Sequence, residues 1–475
     1  MHDFVRFLLQ LLERSLIFAI PALLVGVLIM VFIRKRLLRQ GRTFSWWKAA
    51  ALFLLLGWAL VTIYVTVIRL TPAGYRVTNF QLFLAWREAW NRFTPQVWLN
   101  VFLNIGLFVP FGLLLPIVLR WARSWYGMLF CGFLTSLGIE SVQLLLNRGI
   151  FDVDDLFTNT LGAMLGWSFA MLLSSVRNRD PGWGRGLAGY LSVPVLFAAS
   201  MAVLFGSYAL QPYGNLPESS VSTADLSGVS WESDVVLTDE QDPVPVYQVE
   251  KRDAEEFAEE FAKLRGITFS NRYVYDNLIA FSNHSSGDFL HFFPRDGIWD
   301  YSVGNEKVVS FDMAAKSVTP EALRQELADW GVSIPENALV QTETIGSDSM
   351  DVIFTTPKQS GKPNLLYGDL RCGLYEQNGK TTLERVENHL VQLIPYQEEA
   401  VISPQQAFEV LQVGNSFYGA ILKNSLERER TDTVKVISCA LDWKVDTKGF
   451  YQPVYRFELQ IGSQVQTSDF VSALA

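Results

Sequence analysis

Apolar and polar positions divide the chain near residue 210. Before that point, six runs are apolar over about 20 residues, the length a helix needs to cross a bilayer. They lie at roughly 15–33, 48–68, 98–119, 125–146, 156–175 and 188–208, the fifth diluted by Asn159 and two glycines. Beyond residue 210 the apolar positions recur at short helical or strand-like periods, as in a water-soluble mixed fold. The pattern predicts a polytopic α-helical membrane protein of about six transmembrane helices, followed by a soluble α+β domain.

Five segments follow from this pattern. Residues 1–47 form an extra transmembrane helix and a basic loop, 48–175 a four-helix membrane core, and 176–208 a further loop and the sixth helix. Residues 209–250, rich in Ser, Pro, Gly and Asp, read as a linker, and 251–475 as the soluble domain. In that domain KRDAEEFAEEFAKLRG (251–266) has helical spacing and ends at Gly266, and TPEALRQELADWG begins a second helix with Thr319 as cap and Pro320 at its first position. The segments ITFSNRYVYDNLIAFS, DFLHFFP and KVVSFDM read as strands. ISPQQAFEVLQVG (402–414) reads as a short capped helix before a hairpin of VKVISCALDWKVD and YQPVYRFELQI.

Charge supplies an orientation. Residues 1–210 hold 18 Lys+Arg against 8 Asp+Glu, whereas residues 211–475 hold 21 against 40. The basic block RKRLLRQGR at 34–42, with Arg120, Arg123, Arg177, Arg179 and Arg185, places loops 34–47, 120–124 and 176–187 in the cytoplasm by the positive-inside rule. Segments 69–97 and 147–155 then face outside, although the first carries Arg69, Arg76, Arg87 and Arg92. An even number of spans puts the acidic carboxyl-terminal domain outside a bacterial cytoplasmic membrane.

Polar residues inside the spans share one depth. Asn104 lies six residues into its helix and Glu140 six residues before the end of its own, each about 9 Å deep at 1.5 Å per residue. Ser136, Glu140, Gln143 and Asn147 fall on one helical face, as do Asn100 and Asn104, and Asn159 lies three or four residues into the fifth helix. FDVDD (151–155), with Arg148 and Arg69, lies just above this layer. Carboxylates in a membrane face the bundle interior and mark function; Asn, Gln and Ser also join helices without doing chemistry. Glu140 is expected to pair with Arg148 or Arg69 or to be held neutral by its surroundings. Asp154 or Asp155 is the expected helix cap, leaving Asp152 freer. Gly162-Ala163-Met164-Leu165-Gly166 is a close-packing face. Pro110, Gly112 and Pro116 interrupt the third helix, and the freed carbonyls need partners in the bundle.

At these residues the chain resembles the VanZ-like membrane family. The blocks that carry the resemblance are IRLTP (68–72), NIGLFVPFGLLLP (104–116), SLGIESVQ (136–143) and NRGIFDVDDLFTNTLGAMLGW (147–167), within about 48–175. The resemblance implies signature roles for Arg69, Asn104, Pro110, Phe111, Gly112, Glu140, Gln143, Arg148, Asp152, Asp155, Asn159 and Gly162. It also implies a link, through the family's name member, to low-level resistance to the glycopeptide teicoplanin, without naming a reaction. The segment from Ile402 to Ile461 is similar to small extracytoplasmic modules of bacterial regulatory and peptidase-associated proteins, through Ser403, Ala407, Pro453, Val454, Tyr455 and Phe457.

Three functions fit these observations. One is binding of an envelope lipid or amphiphile, such as a glycopeptide antibiotic or its target, at the outer leaflet through Arg69, Asn104, Glu140, Gln143, Arg148, Asp152, Asp155 and Asn159. A second is an enzyme on a lipid-linked substrate, with Glu140 or Asp152 as acid or base. The third is a sensor or scaffold whose outer domain meets a protein partner. His2, His284, His291 and His389 lack metal-ligand spacing, no glycine loop or basic stripe points to phosphate or nucleic acid, and no cofactor is expected. Cys131 reads as packing, whereas Cys372 and Cys439 would be free to pair in an oxidising exterior.

Overall fold

The computed structural model describes residues 45–68, 77–178, 183–217, 224–275, 277–356, 365–462 and 465–474, with scattered positions between 27 and 39. The first expected span, 15–33, falls almost wholly outside the described residues, and Arg69 falls outside them. The chain divides into two compact units, Met1–Gln211 and Pro212–Ala475.

Among the described residues of the first unit, five helices are long and apolar enough to cross a membrane. Helix α1 (Trp46–Ile63) runs on through a π-helical turn at Tyr64–Ile68. A short helix, α2 (Leu84–Arg92), precedes α3 (Pro95–Val118), α4 (Trp125–Leu146), α5 (Val153–Asn178) and α6 (Trp183–Leu210). The start and end of α4 coincide with the apolar run that predicts it. Segment 69–97, expected only as an outer loop, holds α2 and a strand, β1 (Val77–Asn79), which pairs in parallel with β2 (Ile150–Asp152).

Helix α3 is continuous through Pro110 and Pro116, so the expected interruption does not occur. Each proline lacks the amide that would bond the carbonyl four residues earlier, Gly106 and Gly112 here, and other carbonyls of α3 take donors from outside the helix. The Trp58 indole donates to the carbonyl of Leu107 (2.6 Å), and the Arg123 guanidinium donates to that of Pro116 (3.0 Å).

The glycine face of α5 is the seam of the bundle. A Cβ on Gly162 would lie 2.0 Å from the Ile105 carbonyl oxygen, and one on Gly166 would lie 2.1 Å from that of Val109. From the other side, a Cβ on Gly112 would lie 1.9 Å from the Ala163 oxygen. The contacts climb one turn on each helix together, 105 with 162 and 109 with 166, so α3 and α5 run parallel with their amino termini at the same end. Phe108, Met128, Ala163 and Trp167 fill the core alongside.

The second unit contains two largely antiparallel sheets. Its strands are β3 (Ser230–Ser233), β4 (Val244–Val249), β5 (Asn271–Val274), β6 (Ile279–Asn283), β7 (Asp288–Phe293), β8 (Ile298–Ser302), β9 (Val309–Phe311), β10 (Leu339–Thr344), β11 (Ser349–Thr355), β12 (Leu365–Tyr367), β13 (Asp369–Gln377), β14 (Lys380–Asn388), β15 (Val391–Glu399), β16 (Thr433–Val445), β17 (Phe450–Ile461) and β18 (Val465–Ser472). One sheet runs β10-β11-β13-β14-β8-β7-β6-β5, with β9 beside β14; the other runs β12-β15-β4-β17-β16-β3, with β18 on β17. Helices α7 (Ala254–Arg265) and α8 (Pro320–Ala328) cover the first sheet, and their Phe261, Leu323 and Leu327 enter its core. Helices α9 (Pro404–Gln412) and α10 (Gly419–Glu429) supply Ala407, Leu411, Leu422 and Leu426 to the core of the second.

Local chemistry sets these helix ends. Asp253 accepts from the amides of Glu255 and Glu256, and Gly266 closes α7 in the left-handed conformation. Thr319 caps α8, and Ser403 with Gln406 forms a reciprocal box at the start of α9. The expected hairpin is β16–β17. Its Tyr455 hydroxyl donates to the Ile402 carbonyl (2.8 Å), tying the strand to the start of α9.

Two expectations are corrected in this unit. Residues 209–250 are not merely a linker: β3 and β4 join the second sheet, and Ala224 and Leu226 lie in its core. Gly214 donates to Asp446 (2.6 Å), and Asn215 donates to the Thr447 hydroxyl (2.8 Å). Cys372 and Cys439 are not paired. They stand on β13 and β16, in different sheets, where burial pushes their thiols up to about 12 and about 11 respectively.

The seam yields a direct test. Gly162→Ala should destabilise the solubilised protein by roughly 1–3 kcal/mol, the usual range for overpacking. Gly106→Ala and Gly138→Ala, where a Cβ meets nothing within 4 Å, should melt close to the parent protein. Equal melting of all three variants would remove the close α3–α5 contact.

Candidate functional site

The parallel course of α3 and α5 brings their amino-terminal ends beside the carboxyl-terminal end of α4. There the polar groups of three apolar helices meet. The Asn104 amide donates to Asp155 Oδ1 (2.6 Å). The Ser136 hydroxyl donates to the Asp155 carbonyl (3.3 Å) and accepts from the Asn159 amide (2.9 Å). Gln143 donates to the Thr66 carbonyl (2.8 Å) in the π-helical turn that follows α1. Asn100, on the same helical face as Asn104 by spacing, stays exposed.

Glu140 is 1% exposed, and its Oε2 accepts the Asp152 amide (3.1 Å). Its partner in the structure is thus the backbone of FDVDD. Arg148 donates to the carbonyls of Val67 (3.3 Å) and Ile68 (3.0 Å), bracing the end of the π turn. The turn that carries Arg148 forms because Asn147 and Gly149 adopt positive φ after α4.

The three aspartates of FDVDD point three ways. Asp152 Oδ1 accepts the amide of Asp154 (2.8 Å) and the side-chain amide of Asn79 (3.1 Å). It therefore caps α5 and fastens β1. Asp154 is not the helix cap. It is 1% exposed and accepts from the amides of Phe83 and Ala85 (the latter 2.6 Å), at the amino terminus of α2. Unpaired amides and the dipole at a helix start favour a carboxylate there. Asp155 turns inward to Asn104. The cap of α5 is thus Asp152, where Asp154 or Asp155 is expected from the sequence, and none of the three aspartates is free; Asn79 and the Phe83–Ala85 segment carry no sequence signal of these roles.

Helix α2 rests on an aromatic collar. Trp86 meets Trp98 and Phe157 edge-on, and Phe93 stacks on Tyr208. Aromatic rings of this kind favour the membrane–water boundary.

Two acceptors in the cluster are left over. The Thr66 carbonyl can only accept, so Gln143 must present its NH2 to it. With the Ser136 hydroxyl turned to the Asp155 carbonyl, Asn159 presents its NH2 to Ser136. Asn159 Oδ1 and Gln143 Oε1, on residues 6% and 7% exposed, have no hydrogen-bond partner among the described residues. Buried polar groups of this kind carry a cost of about 1–3 kcal/mol each.

The second unit offers a weaker alternative. His389 lies 3.1 Å from Asp300, whose hydrogen bond raises the imidazole above its ordinary pKa. His284 sits beside the Ser282 hydroxyl at 3.2 Å. Among the described residues, no three His, Cys, Asp or Glu side chains are grouped to hold a metal ion.

Residues 49–174 match the VanZ/LLP1 family model. The cluster lies inside the matched segment, and the whole second unit lies beyond it. No curated protein matches the chain. Among solved structures, the crystal structure of an uncharacterized protein from Eubacterium rectale ATCC 33656 is 9% identical, over 50% of this chain and 85% of that one. Its TM-score is 0.20, a likeness too slight to assign a function.

The role of Asp154 can be measured separately from that of Glu140. Asp154→Ala should speed hydrogen exchange at the amides of residues 83–85 and cost about 1–3 kcal/mol, whereas Glu140→Gln should leave those amides protected. Unchanged protection in Asp154→Ala would show that α2 is held by its aromatic contacts alone.

Proposed function

We propose that the VanZ-like segment binds the head group of an envelope lipid or a similar amphiphile at the outer end of its helices. The observation that carries this reading is the pair of buried, unpartnered acceptors on Gln143 and Asn159, beside the carboxyl groups of Glu140 and Asp155. Groups that served only as glue between helices would be expected to satisfy one another. A glycopeptide antibiotic held with its lipid-linked target is one amphiphile of the right kind. The enzymatic reading has less support, because Glu140 and Asp152, its acid or base, are each engaged by a backbone amide.

The same proposal sets an orientation. Arg120, Arg123 and Arg177 lie at the end of the bundle opposite the cluster, and basic residues favour the cytoplasmic side. The cluster then faces outward, and the chain beyond Leu210 begins outside as well. The outer unit, with its two sheets, is free in this reading to meet a protein partner in the envelope.

Two measurements test the proposal. Glu140→Leu should insert and fold, shown by membrane abundance and thermal stability, yet retain about tenfold less lipid by native mass spectrometry, since a hydrogen bond to a charged group is worth about 1.5–3 kcal/mol. Full occupancy in a well-folded Glu140→Leu protein would sink the binding site. Separately, a reporter that folds only in the cytoplasm, fused after Ala475, should stay dark; a strong signal would invert the topology.

A further inference from the structure

The balance of donors and acceptors in the cluster says what kind of head group it takes. The inference rests on the lipid-binding reading above and narrows it. The side-chain donors are turned inward: Asn104 to Asp155, Asn159 to Ser136, Ser136 to the Asp155 carbonyl, Gln143 to Thr66. Arg148 holds the carbonyls of Val67 and Ile68. Among the buried oxygens without a partner in the described residues are Gln143 Oε1 and Asn159 Oδ1, which only accept, and the hydroxyls of Thr62 and Thr160, which can accept as well. Around them stand the carboxyl groups of Glu140, Asp152 and Asp155, with the two helix starts that would otherwise attract an anion already occupied by Asp152 and Asp154.

We infer that the cluster binds a primary ammonium group, as on an ethanolamine head group or a free amine. An ammonium brings three N–H donors to neutral amide oxygens and a positive charge to the carboxyl groups. A hydroxyl would supply the first without the second, and a quaternary ammonium the second without the first. A bare phosphate would supply neither and would meet carboxyl oxygens.

That contrast designs the experiment. The full-length protein is placed in nanodiscs of equal parts phosphatidylethanolamine, phosphatidylcholine and phosphatidylglycerol, released into mild detergent, and its retained lipids are counted by native mass spectrometry. Phosphatidylethanolamine should exceed each of the others by about tenfold, the ratio expected from one charge-assisted hydrogen bond. In Gln143→Leu the ratio of ethanolamine to choline lipid should fall toward one. Should that variant not fold, the comparison in the parent protein decides alone. Added ethanolamine that displaces the lipid would show that the ammonium suffices, and lipid that resists it would show that the tails contribute; both support the inference. Retention without preference for ethanolamine, or with preference for choline or glycerol lipid, overturns the inference and leaves the lipid site standing. Failure to retain any of the three lipids overturns the site and the inference together.

Discussion

The membrane unit depends on the absence of three side chains. Gly112, Gly162 and Gly166 let α3 and α5 touch backbone to backbone. In a bilayer there is no hydrophobic drive to press one apolar helix on another, so close packing and interhelical hydrogen bonds must supply the attraction. The seam does more than hold the bundle. It sets α3 and α5 in parallel and in register, so that Asn104, one residue before the Ile105 contact, comes within hydrogen-bond reach of Asp155. A bulkier residue in the seam would part the helices and leave both groups without a partner in an apolar medium. Packing and polar chemistry are therefore one constraint here.

The meeting of these polar residues was legible in the sequence because a helix is a ruler. Counting residues from the ends of three apolar runs places Asn104, Glu140 and Asn159 in one layer, and the structure joins their helices through Asp155 and Ser136. The small-x-x-x-small stretch at 162–166 was legible for the same reason. What could not be read was direction at the helix start. Asp152, Asp154 and Asp155 differ by one or two residues, and the neighbour each meets comes from a segment some 50 to 75 positions earlier in the chain. Strand β1 and helix α2 were invisible for a related reason: three residues pairing with β2 and a nine-residue helix carry too little periodicity of their own.

In the second unit, the capped helices and the long hairpin were legible because their signals are local. Asp253, Thr319, Ser403 and Gly266 act on amides and carbonyls within a few residues. The segment taken for a linker shows the limit of composition. Its Ser, Pro and Asp content suits a surface edge as well as a stalk, and β3 stands at the margin of its sheet. The cysteines show a second limit. An oxidising compartment permits a disulfide but does not bring two strands together, and Cys372 and Cys439 stand in different sheets.

The order of the helices along the chain has a consequence for synthesis. The partner of α3 is α5, and α4 intervenes between them. When α3 first enters the bilayer during translation, the residues that will cover its glycine and bind Asn104 have not yet been made. Until Asp155 and Ala163 emerge, that helix carries a polar amide with no partner from its own bundle. The nascent chain must therefore be sheltered at this stage, by the insertion machinery or by water at the membrane boundary, and truncation between α4 and α5 would leave a fragment that the cell's quality control can tell from the finished protein.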